Sequence, residues 1–472
     1  MVKVDSMRRI VIVGANAAGT SAAAAARRTD KEAEIILIES EKYPAYSRCG
    51  LPYVLSGQVQ DFDDLIIFPP KWYEMMNLDL RLGTSARTIR PAEHMLIVLE
   101  EGKEKTIHYD SLILATGCRS STPTIKGADK EGVYSLRTID DGKRLQEAMR
   151  EAHSAVVIGA GMTGLETTHA FDEKNIETTV VEASPQVCPV MLDMDTANLV
   201  SERLEDHGVR VITGSPVKEI VGANRVEAVL VEGRNIEADI VLIATGAKIN
   251  NELGIQIGAL FGVTGGLKVG ADMSTSIPDI YSCGDGTECY SLIDGQPIRS
   301  QLRTTAARQG EVAGRNAAGG YTIFPGALCS MVTKVFGFEI GSTGYTELHA
   351  RGLGYKTISG SVDSRTRAEY FPGGQDIRVK LIVERDYGRI VGSQIVSGEE
   401  TTQRINMLAT AIQNKMTVSE FSKIDCCYSP PVNVTLEPVR HPLVNSRQPR
   451  HLRRGIVGRA GSPTLRLHVP VS

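Results

Sequence analysis

Among the 472 residues, the side chains best suited to covalent chemistry are eight cysteines. None forms the CxxC pairs typical of zinc sites. In a chain this long, their scatter argues for reduced thiols in the cytoplasm and against a disulfide framework. Cys49 has the most specific setting. It lies in YSRCGLPY, residues 46–53, between Arg48 and a Gly-Leu-Pro segment, with no second cysteine a few residues on. A local bridge is therefore disfavoured, which leaves packing or nucleophilic attack. A thiolate attacks disulfides, whereas a free cysteine with a pKa of about 8.5 is mostly protonated at neutral pH. Pro52 suits the first turn of a helix, where a missing N–H costs little. Cys49 would then lie at a helix N-terminus, whose partial positive charge favours the thiolate. Arg48 would add to this if it turned inward. Cys426 and Cys427 are adjacent and precede Tyr428. They read as small packed side chains, with a thiol relay or a soft-metal contact as the functional alternative. Cys118, Cys188, Cys283, Cys289 and Cys329 read as packing, and no metal site is expected.

Two glycine-rich motifs supply the elements that would position such a thiol. In RRIVIVGANAAGTSAAAAARR, residues 8–28, a β-branched strand enters Gly14-Ala15-Asn16-Ala17-Ala18-Gly19 and an alanine-rich helix follows. The next strand, EIILIE, ends at Glu39, with Ser40 after it. Strand, tight turn, helix N-terminus and terminal acid are the dinucleotide-binding pattern: the helix faces the pyrophosphate and the acid takes ribose hydroxyls. Asn16 stands where the middle glycine is usual. The second copy, SAVVIGAGMTGLETTHAF at 154–171, is complete, with Gly159, Gly161 and Gly164 around Met162 and Thr163. Its following strand, TTVVE, ends at Glu182. One GxGxxG is a weak signal; two with matching strands, helices and acids are a strong one. YDSLILATGCR (109–119) and ADIVLIATGAK (238–248) form a further repeat, one after each motif, closing in Ala115-Thr116-Gly117 and in Thr245-Gly246. TSIPDIYSCGDGT (275–287) ends a strand in Gly284-Asp285, an acid placed for polyol hydroxyls.

From about residue 325 the nucleotide motifs stop. IRVKLIVE (377–384) and RIVGSQIV (389–396) alternate as antiparallel strands do, and TTQRINMLATAIQNKM (401–416) has helical periodicity. Beyond Pro438 there are arginines and no acids, and residues 446–472 read as a basic, poorly ordered tail. A net charge of −4 gives no reason to expect nucleic acid as a partner. No apolar run approaches the roughly 18 residues of a membrane span. The N-terminal apolar run passes straight into the first motif and reads as a strand, not a signal peptide.

This order of motifs resembles the flavin disulfide reductase superfamily. The resemblance covers roughly residues 8–445 and implies an α/β fold. It has two Rossmann-like domains, for FAD and NAD(P), and a C-terminal α+β dimerisation domain. It implies an FAD domain of residues 1–112 and 246–324, an NAD(P) domain of 113–245 and a dimerisation domain of 325–445. Cys49 followed by GLPYV, without the CxxxxC pair, is similar to the single-cysteine branch. That branch holds NADH oxidases, NADH peroxidases and coenzyme A-disulfide or CoA-persulfide (polysulfide) reductases. Three segments resemble the CoA members: CGLPYV (49–54), AEYFPGG (368–374) and DCCYSPP (425–431). The resemblance implies that Tyr370 and Tyr428 reach across a homodimer to the other subunit's Cys49. Arg27 and Arg28, with Ser47 and Arg48, fall where CoA-linked substrate would bind, and Gly50 permits close approach to the flavin. FAD would be held by the first motif, Glu39, Ser40, Ala86, Ala115, Thr116, Gly117, Gly284 and Asp285. NADH, with NADPH also admissible, would be held by the second motif, Glu182 and Gly246. Glu182 favours NADH because an acid repels a 2′-phosphate. Glu166 resembles a glutamate near the nicotinamide, and Met162 replaces an aromatic that covers that site in many relatives. The expected reaction is reduction of CoA-disulfide, CoA-persulfide or polysulfide. The alternative is an NADH oxidase or peroxidase that uses a Cys49 sulfenic acid.

Overall fold

A computed structural model describes residues 7–440, so the basic tail lies outside the described residues. Ile10, Val11 and Ile12 have no exposed surface, because the strand Arg9–Val13 is central in a sheet covered on both faces. That sheet runs Ile280–Ser282, Ser111–Leu114, Arg9–Val13, Glu34–Ile38, Asp79–Arg81, all parallel. A near-continuous apolar run is what double-sided burial requires. The helix Ala17–Thr29 follows and packs on the helix Arg303–Ala317. Their backbones approach closely: a Cβ on Gly310 would lie 2.1 Å from the Ala18 carbonyl oxygen. The run of alanines in the first helix is the matching half of that contact.

The second sheet repeats the plan, with order Arg210–Ile212, Glu177–Val181, Ser154–Ile158, Ile240–Ile243, Val133–Tyr134, again all parallel. In both sheets the first glycine of the motif has left-handed φ, +104° at Gly14 and +110° at Gly159. A Cβ there would meet the carbonyl oxygen of Ala115 at 2.2 Å or of Ala244 at 2.5 Å. Each glycine thus ties its motif to its own Ala-Thr-Gly strand. The third domain is an antiparallel sheet, Met331–Val335, Phe338–Gly344, Ile390–Ser397, Asp376–Glu384, Thr357–Arg365, with the helix Thr401–Gln413 packed on it. The α/β class with two Rossmann-like domains and an α+β third domain is therefore as expected.

The expected boundary between residues 112 and 113 is corrected. It would cut Ser111–Leu114, which the first sheet keeps whole. The chain leaves that sheet only after Leu114 and crosses to the second domain along Cys118–Ser120. It returns along Ala247–Ile249, and the two segments pair antiparallel. Asn250 closes the pair, its N–H donating to the Gly117 carbonyl at 3.0 Å.

The second and third domains are joined by a buried lysine. Lys380, on Asp376–Glu384, has a side chain 4% exposed and places its ammonium 2.7 Å from Asp195, 3.2 Å from Asp193 and 3.6 Å from Glu347. Asp193 also accepts from Gln394 Nε2 at 2.7 Å and from the backbone N–H groups of Glu347 and Leu348 at 3.0 and 3.1 Å.

Candidate active site

A cavity of about 730 Å³ begins at the first glycine motif and ends at Cys49. Gly14, Asn16, Ala17, Ala18, Glu39 and Ser40 line one end, Ala86 and Ala115 to Gly117 its flank, and Gly284, Asp285, Arg48 and Cys49 the other end. Gly19 lies behind the wall, where a Cβ would be 1.7 Å from the Gly14 carbonyl oxygen. Asn16 does local work: its Oδ1 accepts from the Ala17 N–H at 2.8 Å as the helix N-cap. The equivalent Gly161 has ordinary backbone and open space beside it, so this middle position does not demand glycine.

Glu39 accepts from the N–H groups of Ala15 at 2.9 Å and Glu41 at 3.0 Å. Glu182 repeats the wiring in the second domain, accepting from Ala160 and Ser184, both at 2.8 Å. Each carboxylate is pinned by the backbone and keeps lone pairs for ribose hydroxyls. A second cavity of about 660 Å³ is lined by Gly159, Gly161, Met162, Thr163, Glu182 and Gly246. Gly164 sits behind it, with space for a Cβ closed by the Gly159 carbonyl at 2.0 Å. Arg137 and Gln301 line both cavities, and Gln301 Nε2 is a buried donor with no protein partner. An unsatisfied buried donor where the two cavities meet calls for an acceptor from a bound group. The residues present therefore fit FAD in the first cavity and a pyridine nucleotide in the second.

Cys49 lies in a 3₁₀ turn, Arg48–Gly50, that leads into the helix Leu51–Ser56 with Pro52 in its first turn. Its exposed surface belongs to the cavity wall. Burial pushes its thiol up, Glu166 adds to this, and Arg303 and Arg137 pull it down. The expected helix N-terminus is present, with Cys49 one residue before the N-cap Gly50, while the net effect of burial and the charges around the thiol is upward. Arg48 does not meet the condition of turning inward to the thiol. Its guanidinium turns to Glu41 at 2.5 Å and to the Arg137 carbonyl at 2.8 Å, not to the thiol. The cations that face Cys49, Arg137 and Arg303, come from distant parts of the chain and belong to no motif.

Cys118 lines the same cavity, so the packing expectation is incomplete for it. Its Sγ lies 3.1 Å from Asp285 Oδ2 and 2.9 Å from Arg137, and burial pushes it up to about 12. Asp285 is also paired with Arg137 at 3.0 Å. Cys188 and Cys329 line the second cavity, Cys283 and Cys289 are buried, and all eight thiols are free. Cys426 is half-buried and Cys427 exposed.

Glu166 lines neither cavity. It is half-buried, and that burial pushes its carboxyl up to about 7 against the opposing pull of a Thr333 hydrogen bond. Ser47 precedes the Cys49 turn and provides no side-chain cap. Arg27 is occupied, donating to the carbonyls of Met76 at 3.0 Å, Asn77 at 2.7 Å and Lys31 at 2.7 Å. Its guanidinium thus has backbone partners within the fold. Arg28 is exposed, 3.7 Å from Glu311. Tyr370 and Tyr428, 58 residues apart, come together with hydroxyls 3.2 Å apart. Both are exposed, and neither lines the cavity of Cys49.

The pyridine nucleotide-disulphide oxidoreductase family matches residues 8–310, and its dimerisation domain matches residues 331–438. The chain belongs to that family. It is a flavoprotein oxidoreductase that works with FAD and NAD(P)H, and it carries the family's dimerisation domain. It is 38% identical over 435 residues to an NADH oxidase of Methanocaldococcus jannaschii, covering 91% of this chain and 97% of the relative. It is 32% identical over 440 residues to an NAD(P)H coenzyme A polysulfide/persulfide reductase of Pyrococcus horikoshii, covering 93% and 97%. A solved NAD-dependent persulfide reductase from A. fulgidus superposes with a TM-score of 0.90 at 36% identity, covering 92% of this chain and 82% of that one. Among the described residues of this oxidoreductase, no helix is long and apolar enough to cross a membrane.

Proposed function

We propose that this oxidoreductase reduces a CoA-linked disulfide, persulfide or polysulfide through Cys49. The observation that carries the proposal is the contrast between the two thiols of the first cavity. Cys118 is buried and tied to Asp285 and Arg137, whereas Cys49 opens into the cavity between two arginines. FAD, when bound, supplies the two-electron relay between NAD(P)H and sulfur. The Cys49 thiolate attacks one sulfur of the substrate. A new S–S bond to Cys49 forms, the old S–S bond breaks, and the outer sulfur leaves as a thiolate or sulfide. Two electrons from NAD(P)H then return Cys49 to the thiolate and release the second thiol. The leaving sulfur takes a proton from the tyrosine pair, with Tyr370 and Tyr428 of one protomer serving Cys49 of the other. A phenol is a suitable donor at neutral pH because its pKa is about 10.

Glu182 supports NADH as the preferred nucleotide, since its pinned carboxylate lies where a 2′-phosphate would need to go. Arg28, exposed and loosely paired with Glu311 at 3.7 Å, is the basic side chain of the first helix available to meet CoA phosphates. Eight free thiols fit a reducing compartment, in line with a cytoplasmic enzyme.

A second reading is favoured by the identity to the archaeal NADH oxidase: Cys49 would cycle through a sulfenic acid with peroxide or oxygen. Steady-state turnover with CoA-disulfide, CoA-persulfide, polysulfide, peroxide and oxygen separates the two. The proposal expects a CoA-linked sulfur substrate to give the highest kcat/KM. It fails if peroxide or oxygen does. Replacing both Tyr370 and Tyr428 by Phe should lower kcat for the sulfur substrate by about 10²-fold, the usual worth of a positioned proton donor. The rate of flavin bleaching by NADH should not change, and stopped-flow absorbance measures both.

A further inference from the structure

Residues 422–437 join the helix Val418–Phe421 to the 3₁₀ turn Pro438–Arg440 with neither helix nor strand, and Tyr428 lies in this stretch. With no ladder of its own, such a stretch keeps one shape only where side chains hold its backbone. Of the backbone groups of residues 425–428, the Cys427 carbonyl is the one with a hydrogen-bond partner among the described residues. It accepts from Asn433 Nδ2 at 3.2 Å. Asn433 is itself fixed: its Oδ1 accepts from the Val434 N–H at 2.8 Å and from Arg404 at 3.2 Å. Two donors face the amide oxygen and a carbonyl faces the amide nitrogen, so this side chain has one workable orientation. Arg404, on the helix Thr401–Gln413, is 5% exposed and Glu437 4%. The guanidinium meets that carboxylate with two N–H groups, at 2.7 and 3.4 Å. The segment of Tyr370 is tied to the same corner. Glu399, two residues before the helix, accepts from Arg367 at 2.9 and 2.6 Å and from Thr366 Oγ1 at 2.6 Å.

We infer that Arg404 is a positioning residue for Tyr428: through Asn433 it holds the Tyr428 hydroxyl against that of Tyr370. Its effect on turnover rests on the proposed role of the tyrosine pair, whereas the contact itself is measurable without turnover. Both phenols are exposed, Tyr370 by 75% and Tyr428 by 45%, so core packing does not bring them together. A hydrogen bond washed by water contributes too little to order two loops by itself. The order comes from beneath, from Arg404 on one side and Glu399 on the other, and the hydroxyls meet at 3.2 Å. Arg404 lines neither cavity and touches neither phenol, so it acts through the loop. A leaving sulfur also meets water, and a donor displaced by about 1 Å loses much of its advantage over it.

The test places 3-fluorotyrosine at position 428 of the FAD-loaded enzyme and records its fluorine resonance with and without Tyr370→Phe. With the hydroxyls in contact, Tyr370→Phe should shift the resonance. Asn433→Asp keeps an acceptor for Arg404 but loses the donor to the Cys427 carbonyl. Arg404→Lys keeps a cation for Glu437 but loses the fork that reaches Asn433. In both variants the resonance should no longer respond to Tyr370→Phe. A response that persists in Asn433→Asp overturns the inference, and so does the lack of any response in the otherwise unaltered enzyme. Turnover gives a second reading. Both variants should lower kcat for the sulfur substrate about tenfold, with KM and flavin bleaching by NADH nearly unchanged. Adding Asn433→Asp to Tyr428→Phe should lower kcat no further, because the loss runs through that one phenol. An equal further loss in the Tyr428→Phe background overturns the inference. If Tyr428→Phe alone leaves kcat unchanged, the proton donor of the proposed function is removed, while the fluorine response still decides Arg404.

Discussion

Cys49→Ser is expected to abolish reduction of the sulfur substrate, by at least about 10³-fold, while NADH still bleaches the bound flavin at the wild-type rate. Sulfur is the reason for the first part. A thiol is ionised in small but useful amounts near neutral pH even when its pKa is raised, and a serine hydroxyl is not. A thousandfold loss corresponds to about 4 kcal/mol of barrier, a modest demand for removal of the nucleophile itself. Geometry is the reason for the second part. Cys49 lies at the end of the first cavity, whereas Gly159 to Thr163 line the second, so nucleotide binding does not use the thiol. Serine is smaller by a fraction of an ångström and fits the same turn. Stopped-flow reduction by NADH, followed by mixing with the sulfur substrate, reads both halves in one variant. A Cys49→Ser enzyme that keeps substrate turnover would mean that electrons leave the flavin without passing through this residue.

Lys380→Met should cost about 3–5 kcal/mol of stability, the usual result of removing one partner from a buried ion cluster. The methionine fills similar volume, so the loss is electrostatic. Asp193 would remain buried without its cation, and Glu347 would keep only its pairing with Arg351. Burial alone would lower the Lys380 pKa, but the Asp195 hydrogen bond and the charges of Asp193 and Asp195 outweigh it and hold it above the ordinary 10.5. Burial would likewise raise Asp193. The N–H of Glu347, Lys380, and the Leu348 and Gln394 donors outweigh it and hold the carboxyl below its ordinary 3.8. For a raised lysine the stabilisation is complete below 10.5 and fades as pH climbs through the folded value. For a lowered aspartate it is complete above 3.8 and fades as pH falls through the folded value. The wild-type advantage over Lys380→Met should therefore be broad and flat from about pH 5 to 10, and shrink at both ends. Thermal denaturation across pH measures it. Equal melting temperatures at pH 7 would show that the cluster does not hold the domains together.

Sequence reading reached the scaffold further than the site. Gly14, Gly159, Glu39 and Glu182 were legible because their roles are local: a strand end, a tight turn and a short helix lie within some thirty residues. Asp285 and Cys49 were legible by their place in an order of motifs. Arg137, Arg303, Gln301 and Thr333 were not, because each meets the site through tertiary packing from a segment with no pattern of its own. Arginines misled in a specific way. Arg27 sits in the last turn of its helix, where a guanidinium finds carbonyl oxygens close by, and Arg48 had a carboxylate partner seven residues back. A cation's position along a helix does not say where its long side chain ends. The ionisation of Cys49 failed for a different reason. The helix start and Glu166 were both visible in the sequence, but the burial of the thiol, which pushes it up most, was not.

The antiparallel pair between Cys118–Ser120 and Ala247–Ile249 has a consequence for how this molecule could be rebuilt. Both passages into the nucleotide domain lie side by side, and Gly117 and Asn250 are already hydrogen-bonded to each other, as are Thr116 and Asn250. The middle domain is thus a cassette plugged into a socket through adjacent contacts. Excision at these two points needs a junction of only about two residues, the length of a tight hairpin turn. The first sheet would keep every strand, because none of its five comes from the excised stretch. Grafting a related nucleotide domain at the same two points would exchange the electron donor and leave the thiol and its cavity walls from the outer domain in place.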